Sequence, residues 1–100
     1  MKTEYIKLNV WLHHIGGSEV DPMLYVSVQI KGYYTRWLFF EEETWTKTFT
    51  NLSDVKNEIE YWNLPFTVNF IKTRSMGNDN LFDRAKAIFS GKMGELGINL

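Results

Sequence analysis

Apolar and polar residues alternate along the first third of the chain, and this period of two predicts β-strands. In the segment Tyr5–Leu12 every second residue is aliphatic, and the positions between include Lys7 and Asn9. A second alternating run covers Met23–Lys31. The sequence therefore predicts two half-buried strands, joined by a glycine-containing loop over residues 13–22.

The following segment is rich in aromatic residues, and its pattern predicts two more strands. The dipeptide Lys31-Gly32 is typical of a tight turn, so we expect a hairpin between the second strand and Tyr33–Phe40. The glutamates Glu41–Glu43 then interrupt the apolar pattern. Trp45–Thr50 alternates again and predicts a fourth strand.

The second half of the chain begins with a helical period. Asn51–Asp54 carries the oxygens that cap a helix start, and apolar residues recur at helical spacing up to Trp62, shortly before Pro65. Alternation returns over Phe66–Thr73 and predicts a fifth strand. A last helix is predicted over residues 81–90, because the glycines after it disfavour continuation.

These elements follow the order β-β-β-β-α-β-α and predict the α+β class. Short connections between successive strands favour an antiparallel sheet, here of about five strands, with two helices packed on it. The chain has 100 residues, of which 44% are hydrophobic and 16% aromatic. That length and composition suit a single domain over residues 1–100.

The composition excludes several kinds of chemical site. No cysteine is present, which removes disulfides, thiolate zinc sites and cysteine nucleophiles. The only histidines, His13 and His14, are neighbours on a predicted strand end and would point to opposite faces. The Gly16-Gly17 pair precedes a strand and not a helix, so it does not form a phosphate loop. We therefore predict no catalytic residue, no metal site and no cofactor.

Charge and hydropathy restrict the partners. The N-terminal residues do not resemble a signal peptide, and the apolar runs are far shorter than the roughly 20 residues needed to span a bilayer. These features predict a cytoplasmic protein without a membrane partner. The net charge of −1 disfavours a dedicated nucleic-acid binder, since such proteins usually present a basic surface.

The aromatic residues are the most distinctive feature of the sequence. Tyr25 and Trp45 fall where a polar strand face is expected, and Arg36 lies between them in the chain. Aromatic residues and arginine are enriched in protein interfaces, so this face predicts a protein-binding surface, unless a helix simply covers it. Alternatively, such a face stacks the bases of a single-stranded nucleic acid. The residues for that alternative are Tyr25, Arg36, Trp37, Lys72 and Arg74.

Acidic residues are concentrated in the middle of the chain. Residues 39–65 contain six acidic and two basic side chains, a local charge of −4. Such a run is either an ordinary solvated surface or an acidic patch that attracts a basic partner. The residues of the predicted patch are Glu41, Glu42, Glu43, Asp54 and Glu58.

Together these features predict a small non-catalytic protein-binding module. We expect it to modulate or inhibit a larger partner that is basic or handles nucleic acid, as small regulators of bacterial or phage origin do. The first alternative is a single-stranded nucleic-acid binder. The second is a self-associating structural subunit, because an open edge strand can pair with its own copy.

Overall fold

Four strands and two α-helices form in the computed structural model, which describes residues 2–100 and leaves Met1 outside the described part. The strands are β1 (Tyr5–Gly17), β2 (Pro22–Arg36), β3 (Phe40–Phe49) and β4 (Phe66–Lys72). The helices are α1 (Leu52–Trp62) and α2 (Asp79–Glu95), with a short 3-10 helix at Arg74–Met76 before α2. The predicted α+β class is confirmed.

The four strands form one mixed sheet in the order β3-β2-β1-β4. β2 is antiparallel to both β1 and β3, whereas β4 runs parallel to β1. The prediction of an entirely antiparallel sheet is therefore wrong. A helix between two strands carries the chain back along the sheet, so the strand after α1 starts at the same end as β1.

The predicted count of five strands is also wrong, because the turn of the hairpin lies elsewhere. Gly32 is in the interior of β2, the turn is at residues 37–39, and Glu41–Glu43 belongs to β3. A Cβ atom on Gly32 would lie 2.4 Å from Nε1 of Trp45. This glycine therefore marks a close approach between neighbouring strands and not a turn.

An asparagine side chain caps the start of each helix, and for α1 this is the start that the sequence predicts. The Asn51 side chain accepts hydrogen bonds from the backbone N–H groups of Ser53 and Asp54, and Asn78 caps α2 in the same way. α2 is longer than predicted, because it continues past residue 90 to Glu95. The fully buried Met93 packs these last turns into the core, and this packing outweighs the low helix propensity of glycine.

The hydrophobic core lies between the helices and one face of the sheet. Even-numbered side chains of β1 and β2 form the sheet side of this core, and one stripe of each helix forms the other side. The buried residues include Ile6, Leu8, Val10, Leu12, Val28, Ile30, Val55, Ile59, Ala85, Phe89 and Met93. The opposite face, here called the open face, carries odd-numbered side chains of β1 and their cross-strand neighbours, including Tyr5, Lys7, Trp11, Tyr25, Lys31 and Tyr33.

Candidate functional site

The turn between β2 and β3 exposes four consecutive large apolar residues. Trp37, Leu38, Phe39 and Phe40 are 76%, 70%, 92% and 66% exposed, and we call these four residues the apolar tip. Single exposed apolar residues are common on protein surfaces, whereas a contiguous exposed patch marks an interaction site. The apolar tip is therefore the strongest candidate for a functional surface in this protein.

The backbone of the tip is held in a conformation that its residues disfavour. Trp37 and Leu38 have φ angles of 50° and 51°, in the left-handed region, and the Phe40 N–H donates to the Trp37 carbonyl at 3.2 Å. Hairpin turns with two such residues usually contain asparagine, aspartate or glycine. Strained backbone of this kind occurs most often at functional sites. The sequence thus has bulky apolar residues at two turn positions where asparagine, aspartate or glycine would cost less free energy.

The tip projects because the β2–β3 hairpin is longer than its neighbour β1. Pairing between β1 and β2 ends at Tyr5 and Tyr33, and the Glu4 N–H adds one more hydrogen bond to the Tyr33 carbonyl. Beyond this point β2 pairs only with β3, up to the Arg36–Phe40 pair. The molecule is correspondingly elongated, with extents of 46 × 26 × 18 Å. The tip therefore extends past the end of β1.

On the open face, a cluster of polar side chains supports the neck of the hairpin, which is the part of β2 and β3 next to the tip. Tyr5 and Lys7 both donate to the Glu41 carboxylate, and the Tyr5 and Tyr33 rings stack with centroids 5.7 Å apart. The hydrogen bonds from Lys7 and Tyr5 lower the pKa of Glu41. The same Glu41 hydrogen bond raises the pKa of Tyr5 to about 12. Glu41 therefore acts as a bridge between β1 and β3.

The other two glutamates of the predicted acidic run also have partners, on different faces. Glu43 pairs with Lys31 at 3.0 Å, and this hydrogen bond lowers the pKa of Glu43. Glu42 accepts hydrogen bonds from the Tyr34 hydroxyl at 2.8 Å and from Arg36 at 3.3 Å. Each of the three neck glutamates thus pairs with a lysine or arginine of the same chain.

The two acidic helix residues do not join Glu41 and Glu43 in one surface. Asp54 is exposed in the first turn of α1. Glu58 is largely covered and accepts from Lys47 at 2.8 Å and from Trp62 Nε1 at 3.0 Å. Partial burial raises the pKa of Glu58, but these two hydrogen bonds outweigh it and hold the pKa below its usual value. The sheet lies between α1 and the open-face carboxylates Glu41 and Glu43.

The aromatic residues of the predicted protein-binding face are also separated. Tyr25 is 48% exposed on the open face, where its ring lies 5.7 Å from that of His13. Trp45 lies on the helix-covered face, where it stacks on Trp62 at 4.9 Å and donates from Nε1 to Thr3 at 3.0 Å. Trp45 is therefore part of the packing, and Tyr25 belongs to a different surface.

The residues of the nucleic-acid alternative lie at two opposite ends of the sheet. Tyr25 and Arg36 are eleven positions apart on β2, which corresponds to about 36 Å along a strand. Lys72 ends β4 near the Tyr25 end and pairs with Asp79 at 2.9 Å, and Arg74 follows in the 3-10 helix. Arg36 and Trp37 belong to the tip end. The structure does not bring these five residues together.

A groove of about 550 Å³ beside the hairpin base is lined by aromatic side chains, including Tyr34, Trp45 and Trp62. The polar atoms of these rings are directed to Glu42, Thr3 and Glu58 of the same chain. The polar groups of these three rings are therefore engaged within the chain, each with a different partner. Within residues 2–100, no group of three or more His, Cys, Asp or Glu side chains is placed to hold a metal ion.

Sequence reasoning named Trp37 only in the nucleic-acid alternative and missed the other three tip residues, because it placed them in a strand. A signal was present: the segment 37–40 is uniformly apolar between Arg36 and Glu41 and does not alternate. In the part of the chain that the structure describes, no helix has the length and apolar character to cross a membrane. Comparison of the chain with models of protein families, with curated proteins and with solved structures gave no match.

Proposed function

We propose that this protein is a non-catalytic protein-binding module that inserts its apolar tip into an apolar pocket of a larger partner and thereby modulates that partner. The observation that carries the proposal is the tip itself. Four exposed apolar side chains stand side by side, and Trp37 and Leu38 hold left-handed backbone to do so. Aromatic anchors of this kind contribute most of the binding energy in many protein interfaces.

The energetics of insertion favour a tight contact. Burying a large apolar side chain contributes about 1.5–3 kcal/mol, so the four tip residues together would contribute about 6–12 kcal/mol before the cost of association is subtracted. The hairpin is already formed and braced by the Glu41 bridge to β1, which reduces the conformational entropy lost on binding. Because the hairpin is preformed and projects from the sheet, we propose that it enters a pocket of the partner.

We propose that the charged residues at the neck orient the protein relative to its partner. Glu41, Glu42 and Glu43 surround the base of the tip, so a basic rim around the partner's pocket would compete with their internal cations. Exchanging one exposed ion pair for another changes the affinity little, but it aligns the two molecules. A basic or nucleic-acid-handling partner remains our proposal on this ground, with the affinity supplied by the tip.

The test compares three forms of the protein in affinity capture from cells that produce it. The forms are the unmodified chain, the double variant Trp37→Ser with Phe39→Ser, and the control Tyr61→Ser, which removes a 72% exposed aromatic residue of α1 that stacks on Trp62 and lies outside the tip. Each captured protein is then purified and titrated by calorimetry. We expect the tip variant to bind at least about 100-fold more weakly, since two aromatic anchors are lost. The control should bind as the unmodified chain does.

Three outcomes would overturn the proposal. One is a purified partner that binds the tip variant as tightly as the unmodified chain. Another is tip-dependent binding to phosphatidylcholine–phosphatidylserine vesicles without any tip-dependent protein partner, which would assign the tip to a membrane surface. The last is concentration-dependent self-association that only the tip variant loses, which would make a second copy the occupant.

A further inference from the structure

The free edge of β4 carries a self-complementary sequence. β4 ends the sheet order β3-β2-β1-β4, so it has no neighbouring strand on one side. Its first five residues are Phe66-Thr67-Val68-Asn69-Phe70, which places the same ring at both ends and a small polar residue on each side of Val68. In a two-fold symmetric strand pair, residues at equal distances on either side of the axis lie opposite each other, so this pattern places ring opposite ring and polar residue opposite polar residue.

The pairing with β1 determines which backbone groups of β4 are free. The Ile6 N–H donates to the Pro65 carbonyl at 3.0 Å, and Ile6 lies opposite Phe66 in the parallel register. Hydrogen-bonding groups alternate between the two sides of a strand, so odd-numbered residues of β4 face β1. Phe66, Val68 and Phe70 therefore direct their N–H and C=O groups away from the sheet.

The two edges of the sheet differ in their protection against strand pairing. β3 contains three glutamates and Lys47, and its register with β2 is interrupted between Gly32 and Tyr33. Charges and bulges of this kind are the means by which natural edge strands avoid pairing with other chains. β4 has no charged residue and no proline from Phe66 to Ile71. Only β4 therefore presents an unprotected edge.

We propose that two copies of this chain pair antiparallel along β4, about a two-fold axis through Val68. Phe66 then lies opposite Phe70 of the second copy, and Thr67 lies opposite Asn69 of the second copy. The outward backbone groups form about six hydrogen bonds in this register. The two four-stranded sheets become one continuous sheet, with the helices of both copies on the same side.

The side chains of β4 match this arrangement on both faces. Phe66, Val68 and Phe70 are half-buried on the helix side, where the Phe70 ring meets the Phe89 ring edge-on at 5.8 Å. Opposing phenyl rings from the second copy would extend this apolar layer across the new strand pair. On the open face, Thr67 and Asn69 are exposed, and the Thr67 hydroxyl can donate to Oδ1 of Asn69 in the opposite copy.

The dimer does not rest on the proposed function, because the apolar tip belongs to the opposite edge of the sheet.

Sedimentation velocity over a concentration series tests the dimer with charge variants at the exposed positions of β4. Thr67→Glu with Asn69→Glu places carboxylates opposite each other, so we expect a monomer, with a dissociation constant raised at least about tenfold. The basic counterpart, Thr67→Lys with Asn69→Lys, should likewise be monomeric, and an equimolar mixture of the two should restore the dimer.

The matched control changes the other edge. Thr46→Glu with Thr48→Glu introduces the same charges at exposed threonines of β3, and this variant should remain dimeric. The Trp37→Ser, Phe39→Ser tip variant should also remain dimeric, which separates failure of this inference from failure of the proposed function. Near-ultraviolet circular dichroism confirms that each variant is folded.

The register is tested by cross-linking, since the chain contains no cysteine of its own. Residues 67 and 69 of opposite copies would form a non-hydrogen-bonded pair with Cα atoms about 4.5 Å apart, within the range of a disulfide. A mixture of Thr67→Cys and Asn69→Cys chains should therefore oxidise to a heterodimer, and neither chain alone should do so. An unmodified chain that stays monomeric at all concentrations would overturn the inference, as would a dimer that survives in the Glu variant.

Discussion

The base of the β2–β3 hairpin, here the part around the Gly32–Trp45 pair, and the tip each contain a tryptophan. The two tryptophans have opposite roles. At the base, Trp45 lies against Gly32, stacks on Trp62 and donates a hydrogen bond to Thr3. At the tip, Trp37 is 76% exposed. The two side chains have the same chemistry and differ only in what lies beside them. α1 brings Trp62 against the base, and the tip extends beyond the sheet.

This difference shows why aromatic content alone does not locate an interface. A buried aromatic residue stabilises the fold, whereas an exposed one stabilises the complex that covers it. The base of the hairpin is packed closely enough to require a glycine at residue 32. The tip instead accepts unfavourable backbone at Trp37 and Leu38. The base therefore contributes to stability, and the tip is the part of the hairpin to which we propose a binding role.

The largest expected effect comes from exchanging the two tryptophans for alanine one at a time. Trp45→Ala removes the stack on Trp62 and the hydrogen bond to Thr3, so we expect it to lower the free energy of unfolding by about 3 kcal/mol. Trp37→Ala should change it by less than about 0.5 kcal/mol, because the side chain is exposed. Urea unfolding measures both values. Equal losses in the two variants would contradict the distinction between base and tip.

A smaller loss is expected for Gly32→Ala. The added Cβ would lie 2.4 Å from Nε1 of Trp45, and such overpacking costs about 1–3 kcal/mol. The matched control is Gly91→Ala, a helix position with no atom within 4 Å of the added Cβ, where we expect a gain of about 0.5–1 kcal/mol. Combined with Trp45→Ala, the Gly32→Ala loss should shrink but not vanish, since the ring is gone while Thr44 Oγ1, 2.8 Å from the added Cβ, remains. If the two losses in the free energy of unfolding add fully in the double variant, Gly32 has a role other than making room for Trp45.

The smallest effect, and one of opposite sign, is expected at the tip. Leu38→Asn places a residue that tolerates left-handed backbone at a φ of 51°, so we expect a gain in stability of up to about 1 kcal/mol. Thermal unfolding measures this gain, and Phe39→Asn, outside the two left-handed positions, serves as the control with no gain. The same Leu38→Asn change should weaken binding to the partner. A loss of stability would show that Leu38 supports the fold.

Much of the local structure followed from the sequence. The period of two identified β1 and β4, the helical spacing identified both helices, and Asn51 marked the start of α1. These features depend on residues close together in the chain, so their physical causes are visible in a short window. The absence of cysteine also required no coordinates.

The location of the candidate site depended on contacts between distant residues. The sequence predicts a turn at Gly32, whereas in the structure Gly32 lies inside β2 against Trp45 and the turn is at residues 37–39, where the tip is exposed. The parallel pairing of β4 with β1, and hence its free edge, likewise depends on where α1 returns the chain. The sequence by itself determined β1, β4, both helices and which residues are apolar. The tertiary structure alone decided which anchors are covered, because burial depends on contacts between residues far apart in the chain.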